Sequence, residues 1–474
     1  MRIFLLTRPR KIVFICVVSL LLGLAASAFT PVGQRVAAQY LSRQPLAHFT
    51  SRPIVLSSAP MFASYTVTKL ADTNDGTCDA DCSLREAIAA AQANAGADTI
   101  TFAPAVTGTI TLSQGQLSVD SNLTIQGPGA DVLAISGNDA LGVFVTGANN
   151  TSAIMAISGL TITKGLSGNG GGINNFGTLT VTDCAIIDNR SSGNGGGIQN
   201  GGTMTIERST IRGNSSSFDA GGILNFADAV LPGKLTLTNC TITENSAPAS
   251  TGGIYNNNFG NPNPSLVTIV NCTIANNSGS NGAGIRTTTG GGPATTVLKN
   301  TILANNTPEN INTGGVGVTV TSQGNNLVSD GGNGFLNQAS DKVNTNPLLA
   351  ALANYGGPTQ TYALLPGSPA LDAGDNAAAS ALALDQRGAG FPRVVNGVVD
   401  MGALESPVLA AALPCKLDMD GDNQVRANKE GLVLLRSMLG FSGAAVVNGT
   451  GISLGQWDSV RNNLNTNCGT SFAP

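Results

Sequence analysis

The sequence of 474 residues has few charges, few aromatic rings and almost no histidine. Charged residues make up 11% of it, aromatic residues make up 4%, and His48 is the single histidine. One imidazole nearly excludes histidine-based catalysis and multi-histidine metal sites. The formal net charge of −4 argues against nucleic acid as a partner, because surfaces that bind nucleic acid are basic.

Glycine is abundant, with 60 residues. Apolar residues alternate with polar ones over short spans, which is typical of strands. Glycine and asparagine separate these spans, and both tolerate the positive φ that tight corners need. Disorder is a poor fit because aliphatic and β-branched residues recur in register.

One short phrase returns five times within residues 159–306. The copies read TLTVTDCAIIDN, TMTIERSTIRGN, KLTLTNCTITEN, LVTIVNCTIANN and TTVLKNTILANN. The anchor isoleucines of the copies are Ile186, Ile211, Ile242, Ile274 and Ile302. Three residues after each anchor lies Asn189, Asn214, Asn245, Asn277 or Asn305. A repeat of this length predicts a solenoid.

We interpret each repeat as one coil of an all-β, right-handed parallel β-helix. Strands in such a stack lie about 4.8 Å apart, so equivalent positions form ladders. We expect the isoleucines inside and the asparagines at one corner. Cys184, Cys240 and Cys272 fall on the inward ladder, where buried structural thiols are expected. The threonines expected outside are Thr180, Thr205, Thr236, Thr268 and Thr296.

The N-terminal residues predict export. Residues 1–28 combine a basic start, an apolar run and the small residues Ala26, Ser27 and Ala28, which suits a secretory signal. An uncleaved membrane anchor is the alternative. Residues 29–63 have no clear period and are expected to form a linker. In a secreted protein, the close spacing of Cys78 and Cys82 favours a disulfide.

Residues 64–104 predict a strand, a helix and a second strand. Ser83 and Glu86 form a capping-box pattern at the start of the helix. The string CSLREAI resembles the CSLREA domain of secreted bacterial proteins. That domain occurs at the front of β-helical surface proteins and brings no known catalytic residue. The resemblance implies a cap on the N-terminal end of coils spanning 105–350, because a solenoid needs its open end covered.

Residues 351–405 contain the phrases GGPTQT, LLPGSPALDAG, DQRG and VDMGALE. These resemble the choice-of-anchor Q domain, whose name reflects the surface-attachment devices that follow it. We expect this segment to finish the β-helix and to cap its C-terminal end. Asp372, Asp385 and Arg387 have the composition of an acid–base set. Buried ion pairs or turn caps are the alternative that we favour.

Residues 406–414 are expected to form a linker to a small α-helical module, 415–474. Asp418, Asp420 and Asp422 alternate as calcium ligands do, and the stretch resembles a dockerin-type or EF-hand loop. The candidate Ca²⁺ ligands are Asp418, Asp420, Asp422, Gln424 and Glu430. Asn423 and Lys429 depart from the usual loop pattern, so a solvated acidic turn is the alternative. Cys415 and Cys468 are candidates for a second disulfide.

Three consecutive loops are longer than the others, at residues 224–234, 255–266 and 286–294. Stacking places them on one side of the β-helix. They carry Phe226, Asp228, Tyr255, Asn257, Asn258, Phe259 and Arg286. Aromatic rings pack on sugar faces and amides bond hydroxyls, so we interpret the loops as a glycan site. Surface insertions with a few packed aromatics are the alternative.

The sequence therefore favours a secreted or cell-surface bacterial protein with an adhesive or structural role. Its partners would be a polysaccharide or cell-surface glycan and a protein bound by the C-terminal module. The alternative is a polysaccharide lyase or hydrolase of the pectate-lyase-like group. We expect no enzyme, because such enzymes need carboxylates facing one groove and none repeat on adjacent coils.

Overall fold

The computed structural model describes residues 62–406 without a break, and short stretches and single residues between 432 and 461. The predicted signal segment, the linker up to residue 61, the calcium-loop residues, Cys415 and Cys468 lie outside the described residues. No helix in the described part of the chain has the length and apolar character required to cross a membrane.

The chain winds as a right-handed parallel β-helix, as predicted. A regular coil contributes one strand to each of four parallel sheets, which we number 1 to 4 in the order that the chain visits them. Within the described residues, sheet 1 has ten strands, sheet 2 nine, sheet 3 five and sheet 4 eight. The side chains between the sheets form one continuous apolar core.

The strand bounds are as follows. Sheet 1 comprises Ser64–Val67, Ala97–Phe102, Asn122–Gln126, Ile154–Ser158, Thr178–Thr182, Thr203–Glu207, Gly233–Thr238, Ser265–Val270, Ala294–Lys299 and Val318–Ser322. Sheet 2 comprises Gly108–Thr111, Leu133–Ser136, Thr161–Thr163, Ala185–Ile187, Thr210–Arg212, Thr241–Thr243, Thr273–Ala275, Ile302–Ala304 and Leu327–Val328. Sheet 3 comprises Leu166–Asn169, Arg190–Asn194, Ser215–Ser216, Ser246–Ala247 and Ser278–Gly279. Sheet 4 comprises Leu117–Val119, Phe144–Thr146, Ile173–Asn175, Ile198–Asn200, Ile223–Ala227, Ile254–Asn258, Ile285–Thr289 and Ile311–Gly314.

The predicted inward ladders are present in the first four copies of the repeat. Their anchor isoleucines stack in register and are fully buried, as are their corner asparagines. Each asparagine amide oxygen accepts bonds from the coil before it. Asn245 Oδ1, for example, accepts the backbone N–H of Asn214 at 3.0 Å and its Nδ2 at 2.9 Å. The side chains therefore link successive coils as the backbone ladders do.

The fifth copy is shifted by one residue from the sequence alignment, so the assignments of Ile302 and Asn305 were wrong. Leu303, not Ile302, pairs with Ile274. Asn306, not Asn305, continues the asparagine ladder, accepting Asn277 Nδ2 at 2.8 Å. A shift of one residue exchanges the faces of a strand, because side chains alternate.

The same shift turns Thr296 inward and Val297 outward. Thr296 is fully buried, and its hydroxyl lies 2.8 Å from that of Thr287. The pattern could not decide this register, because Ile302 and Leu303 are equally good anchors and Asn305 and Asn306 are adjacent.

A helix covers the N-terminal end of the core, as expected. It spans Leu84–Ala93, and Ser83 and Glu86 form the predicted capping box. Its buried face joins the core through Leu84, Ala87, Ile88 and Ala91. Before the helix, Cys78 and Cys82 form the expected disulfide.

Residues 329–345 cover the C-terminal end of the core. They include a 3-10 helix, Gly332–Gly334, after which Leu336 packs into the core with Val328. Lys342 then pairs with Leu327, which extends sheet 2 by one bridge. The end is thus covered by a segment that precedes the expected cap, 351–405.

Residues 346–406, which we call the strap, run back along the outside of sheet 2. The strap bonds to outward side chains of several successive coils, including Asn325, Asn300, Thr273, Thr243 and Thr210. It contains a short helix, Asn376–Ala379. This position differs from that of an end cap. The outward side chains of sheet 2 supply its polar partners.

Apolar contacts add to this attachment. Ile302, turned outward by the shifted register, packs with Tyr362, Ala370 and Met401 of the strap. These residues form a second buried cluster outside the main core.

The described residues near the C-terminus contain a small core of their own. Val433, Val446, Ile452 and Trp457 are buried together. Val446 belongs to a helix, Ala444–Val447. Helical residues around an apolar cluster agree with the expected α-helical character of this module.

Replacing Thr241 with valine should loosen the strap. The Thr241 hydroxyl is fully buried and lies 2.8 Å from Thr361 Oγ1 and 2.6 Å from Gln386 Oε1. Valine leaves these groups without that partner, so the free energy of unfolding should fall by about 1–3 kcal/mol. Amide hydrogen exchange of residues 359–403 should also accelerate. The control is Thr180→Val on the outside of sheet 1, expected within about 0.5 kcal/mol of wild type. Equal effects of the two substitutions would contradict this role of Thr241.

Candidate functional site on the outside of sheet 4

The candidate site is built on three neighbouring strands of sheet 4 that are longer than those before them. Ile223–Ala227, Ile254–Asn258 and Ile285–Thr289 have five residues each, whereas Ile198–Asn200 has three. The extra length places two outward residues on each strand. Leu224, Tyr255 and Arg286 form one outward column, and Phe226, Asn257 and Thr288 form the next.

The structure brings most of the predicted glycan-site residues together here. We call this group the sheet 4 cluster. It comprises Phe226, Tyr255, Asn257, Phe259, Arg286 and Thr288. Thr288 was missed in the sequence, because its strand reads as a plain run of threonines.

The Tyr255 side chain is buried rather than exposed to solvent. Its side chain is 6% exposed and contacts Ala220 and Leu224. The Tyr255 hydroxyl lies 2.8 Å from Thr288 Oγ1, within hydrogen-bond distance. Burial raises the pKa of Tyr255, and the Thr288 bond partly opposes this shift. Tyr255 therefore holds the cluster together and offers little ring surface to a ligand.

The polar residues predicted for the site build the loops. Asn257 Oδ1 accepts a bond from Thr288 at 2.9 Å. The side chain of Asn258 is fully buried and bonds to backbone groups of residues 260–293. Asp228 Oδ1 accepts the N–H groups of Val230 and Leu231, each at 2.7 Å. These residues fit the alternative given by the sequence, in which the loops are surface insertions with packed side chains.

The cluster presents an exposed aromatic ring and, at a separate position on the neighbouring strand, a cation. Phe259 is 51% exposed, and its ring meets that of Phe226 edge to face at 6.0 Å between centroids. The guanidinium carbon of Arg286 lies 5.2 Å from the Tyr255 ring centroid. Arg286 Nη1 donates to Ser250 Oγ at 3.2 Å. An exposed ring and a fixed guanidinium suit a sugar face and its polar substituents.

The acid–base residues predicted in the strap are structural. Asp385 and Arg387 form a buried ion pair, with Arg387 Nη2 and Asp385 Oδ2 2.6 Å apart. Asp372 contributes its backbone N–H, which donates to Asp400 Oδ1 at 2.7 Å. The favoured alternative of buried ion pairs therefore describes Asp385 and Arg387.

The sequence did not reveal a second group of buried charges next to this pair, formed by Arg393, Asp400 and Glu405. Glu405 is 1% exposed, and its two oxygens accept the N–H groups of Val395 and Asp400 at 2.9 Å. Burial raises the pKa of Glu405 to about 7. Arg393 is 1% exposed and donates to the Asp400 and Gly402 carbonyls. These groups anchor the end of the strap.

Two open cavities in the described part of the chain border the strap. One, of about 420 Å³, is lined by the strap itself, including Asp372, Arg387 and Asp400. The other, of about 550 Å³, lies between the strap and the first coils, where Asp131, Asp183 and Arg208 line it. Arg208 Nε and Asp183 Oδ1 are 2.8 Å apart. Sequence reasoning missed this cleft because the returning strap forms one of its walls.

No grouping of three or more histidine, cysteine, aspartate or glutamate side chains in the described residues is arranged to hold a metal ion. Cys184, Cys240 and Cys272 are free and buried, as the inward ladder implied. Burial raises the pKa of the Cys184 thiol to about 12. These thiols therefore pack as apolar groups.

Comparison with known proteins agrees with the fold. A family model described as a right-handed beta helix region matches residues 141–333. The match and the four-sheet coil agree on a right-handed parallel β-helix for this part of the chain.

A solved structure, Geobacillus virus E2 ORF18, is similar at 12% identity and a TM-score of 0.26. The similarity covers 54% of this chain and 61% of that one, and it is too remote to bear on function. No curated protein sequence matches the chain.

The buried Glu405 carboxyl should make stability depend on pH. Because its pKa in the folded protein is raised from 4.5 to about 7, the folded state holds the proton more tightly than the unfolded state. This contribution is fully present below about pH 4.5 and is lost as the pH rises through about 7.

Urea unfolding of wild type and Glu405→Gln across this range tests the point. The variant should lack this component, so its stability difference from wild type should change with pH. Glu244→Gln removes a carboxylate whose side chain is 46% exposed and serves as the control. If the free energy of unfolding changed with pH equally in wild type and in Glu405→Gln, the raised pKa assigned to Glu405 would be contradicted.

Proposed function

We propose that this chain is an exported bacterial protein of the cell surface or extracellular matrix, with an adhesive or structural role. The stacked coils form a continuous core that is covered at both ends and braced along one side by the strap. The predicted secretory signal and the Cys78–Cys82 disulfide both suit an oxidising environment outside the cytoplasm. Such a body is suited to present a surface rather than to change shape.

We further propose that the presented surface is the sheet 4 cluster and that its ligand is a glycan. The observation that carries this proposal is the exposed Phe259 ring, fixed edge to face on Phe226. A solvent-exposed aromatic ring held in one orientation can pack on the apolar face of a sugar at little cost in side-chain entropy. Arg286, which pairs with Tyr255 on the neighbouring strand, supplies hydrogen-bond donors for another sugar unit of the polymer.

The second candidate is a polysaccharide lyase or hydrolase. The cleft of about 550 Å³ favours it, because Asp131, Asp183 and Arg208 combine carboxylates with a base at one concave surface. Acid–base cleavage of a glycan needs such groups. Against it, the guanidinium of Arg208 already bonds both Asp183 oxygens, at 2.8 and 2.9 Å.

The C-terminal module is proposed to attach the protein to a partner. Its candidate Ca²⁺ ligands lie outside the described residues. The carboxylates at Asp418, Asp420 and Asp422 are hard oxygen ligands of the kind that Ca²⁺ prefers.

Phe259→Ala is the direct test of the glycan site. Removing the ring should weaken binding of any retained polysaccharide by roughly fivefold to tenfold, a typical value for one aromatic contact. Binding is measured by affinity electrophoresis or pull-down with the full chain. The control is Phe62→Ala, because Phe62 is 66% exposed and lies outside the cluster.

An unchanged affinity in Phe259→Ala would eliminate the sheet 4 site. Tyr255→Ala is a poorer test, because this buried side chain also supports the fold. It should lower the melting temperature as well as the affinity.

A further inference from the structure

Arg286 differs from most arginines of residues 62–406 in its charge environment. Arg85, Arg208, Arg212 and Arg387 each lie within 3.0 Å of a carboxylate oxygen. Arg286 has no carboxylate within ion-pair distance among the described residues. A guanidinium that has no counter-ion can still form charge-assisted bonds to an anion.

The protein nevertheless holds this guanidinium in place. Its carbon lies 5.2 Å from the Tyr255 ring centroid, a cation–π contact. Nη1 donates to the hydroxyl of Ser250, a residue that is 2% exposed. The orientation is therefore set before a ligand arrives, which lowers the entropy that binding would cost.

One donor of Arg286 is enclosed without a partner. Nε is shielded from water, and no acceptor among the described residues reaches it. A ligand oxygen cannot reach this enclosed nitrogen either, so any bond to a ligand comes from the terminal nitrogens of the guanidinium. The nearby acid is Asp219, whose charge raises the pKa of Tyr255 but forms no ion pair with Arg286.

The groups that contact Arg286 do not neutralise its charge. Tyr255 and Ser250 are neutral, and the neighbouring Thr288 hydroxyl is already committed to Tyr255 and Asn257. The hydroxyl groups of a neutral glycan would accept hydrogen bonds from the cation but would not supply a counter-charge. An anionic group would supply that charge through a charge-assisted bond.

We infer that the sheet 4 cluster takes an anionic glycan, whose carboxylate or sulfate is bound by Arg286 while another sugar unit of the same polymer packs on Phe259. This inference rests on the proposed glycan site and names its ligand class. A uronic acid and a sulfate ester offer the same chemistry, an oxyanion carried on a sugar.

The test uses the full chain and two matched pairs of polymers. Polygalacturonate is compared with its carboxyl-reduced form, and dextran sulfate with dextran. Wild type should prefer the anionic member of at least one pair, and the pair that shows the preference identifies the anion. Arg286→Gln should lose roughly tenfold or more in affinity for that polymer and little for its neutral counterpart. Arg286→Lys should retain part of the preference.

Arg190→Gln is the matched control, since Arg190 is exposed on sheet 3 and outside the cluster. Thermal unfolding checks that each variant is folded, and Arg286→Lys keeps the charge if Arg286→Gln unfolds. An equal loss in Arg190→Gln would overturn the inference in favour of diffuse electrostatics. If Phe259→Ala weakens binding while Arg286→Gln leaves it unchanged, the result would support the glycan site and contradict the inferred preference for an anionic glycan. Binding to none of the four polymers would overturn both.

Discussion

The stack of asparagine amides between sheets 2 and 3 fixes the register on which the rest of the structure depends. Asn189, Asn214, Asn245 and Asn277 each donate a side-chain amide bond to the asparagine of the next coil, and the ladder ends at Asn306. They also bond to an earlier backbone carbonyl, as Asn245 Nδ2 does to Ile211 at 3.0 Å. A slip of one residue would break the ladder and turn apolar side chains outward, so the slip is strongly disfavoured.

The strap and the sheet 4 cluster both follow from this register. With the anchors turned inward, threonines face outward on sheet 2, and Thr210, Thr241 and Thr273 all bond to the strap. On the opposite part of each coil, the register aligns Tyr255 with Arg286 and Asn257 with Thr288. The ladder thus determines which side chains the strap covers and which remain available to a ligand.

The sequence predicted the β-helix because the repeat is periodic and most of its inward strand positions are apolar. It predicted the capped helix because Ser83 and Glu86 are local signals. It could not place the strap, since Thr241 meets Gln386 across 145 residues and nothing in either segment indicates that contact. The buried charges of Arg393, Asp400 and Glu405 were missed for the same reason. They acquire their environment only when the chain returns to sheet 2.

The site was predicted in part. Loop spacing indicated that the lengthened strands would lie side by side, which brought Phe226, Tyr255 and Arg286 together. Spacing could not show that Ala220 and Leu224 would cover Tyr255, or that Thr288 would use both Tyr255 and Asn257. The burial of Tyr255 depends on residues of neighbouring loops and strands, and the sequence pattern of its own strand carries no information about them.

The central claim is that this β-helix binds a polysaccharide without cutting it. The most direct measurement incubates the purified chain with plant, algal and bacterial polysaccharides, with and without calcium, and follows product release and polymer retention in the same samples. The account predicts retention of at least one intact polymer, with no new reducing ends or unsaturated products. Release of such products would contradict it and would direct attention to the cleft at Asp131, Asp183 and Arg208.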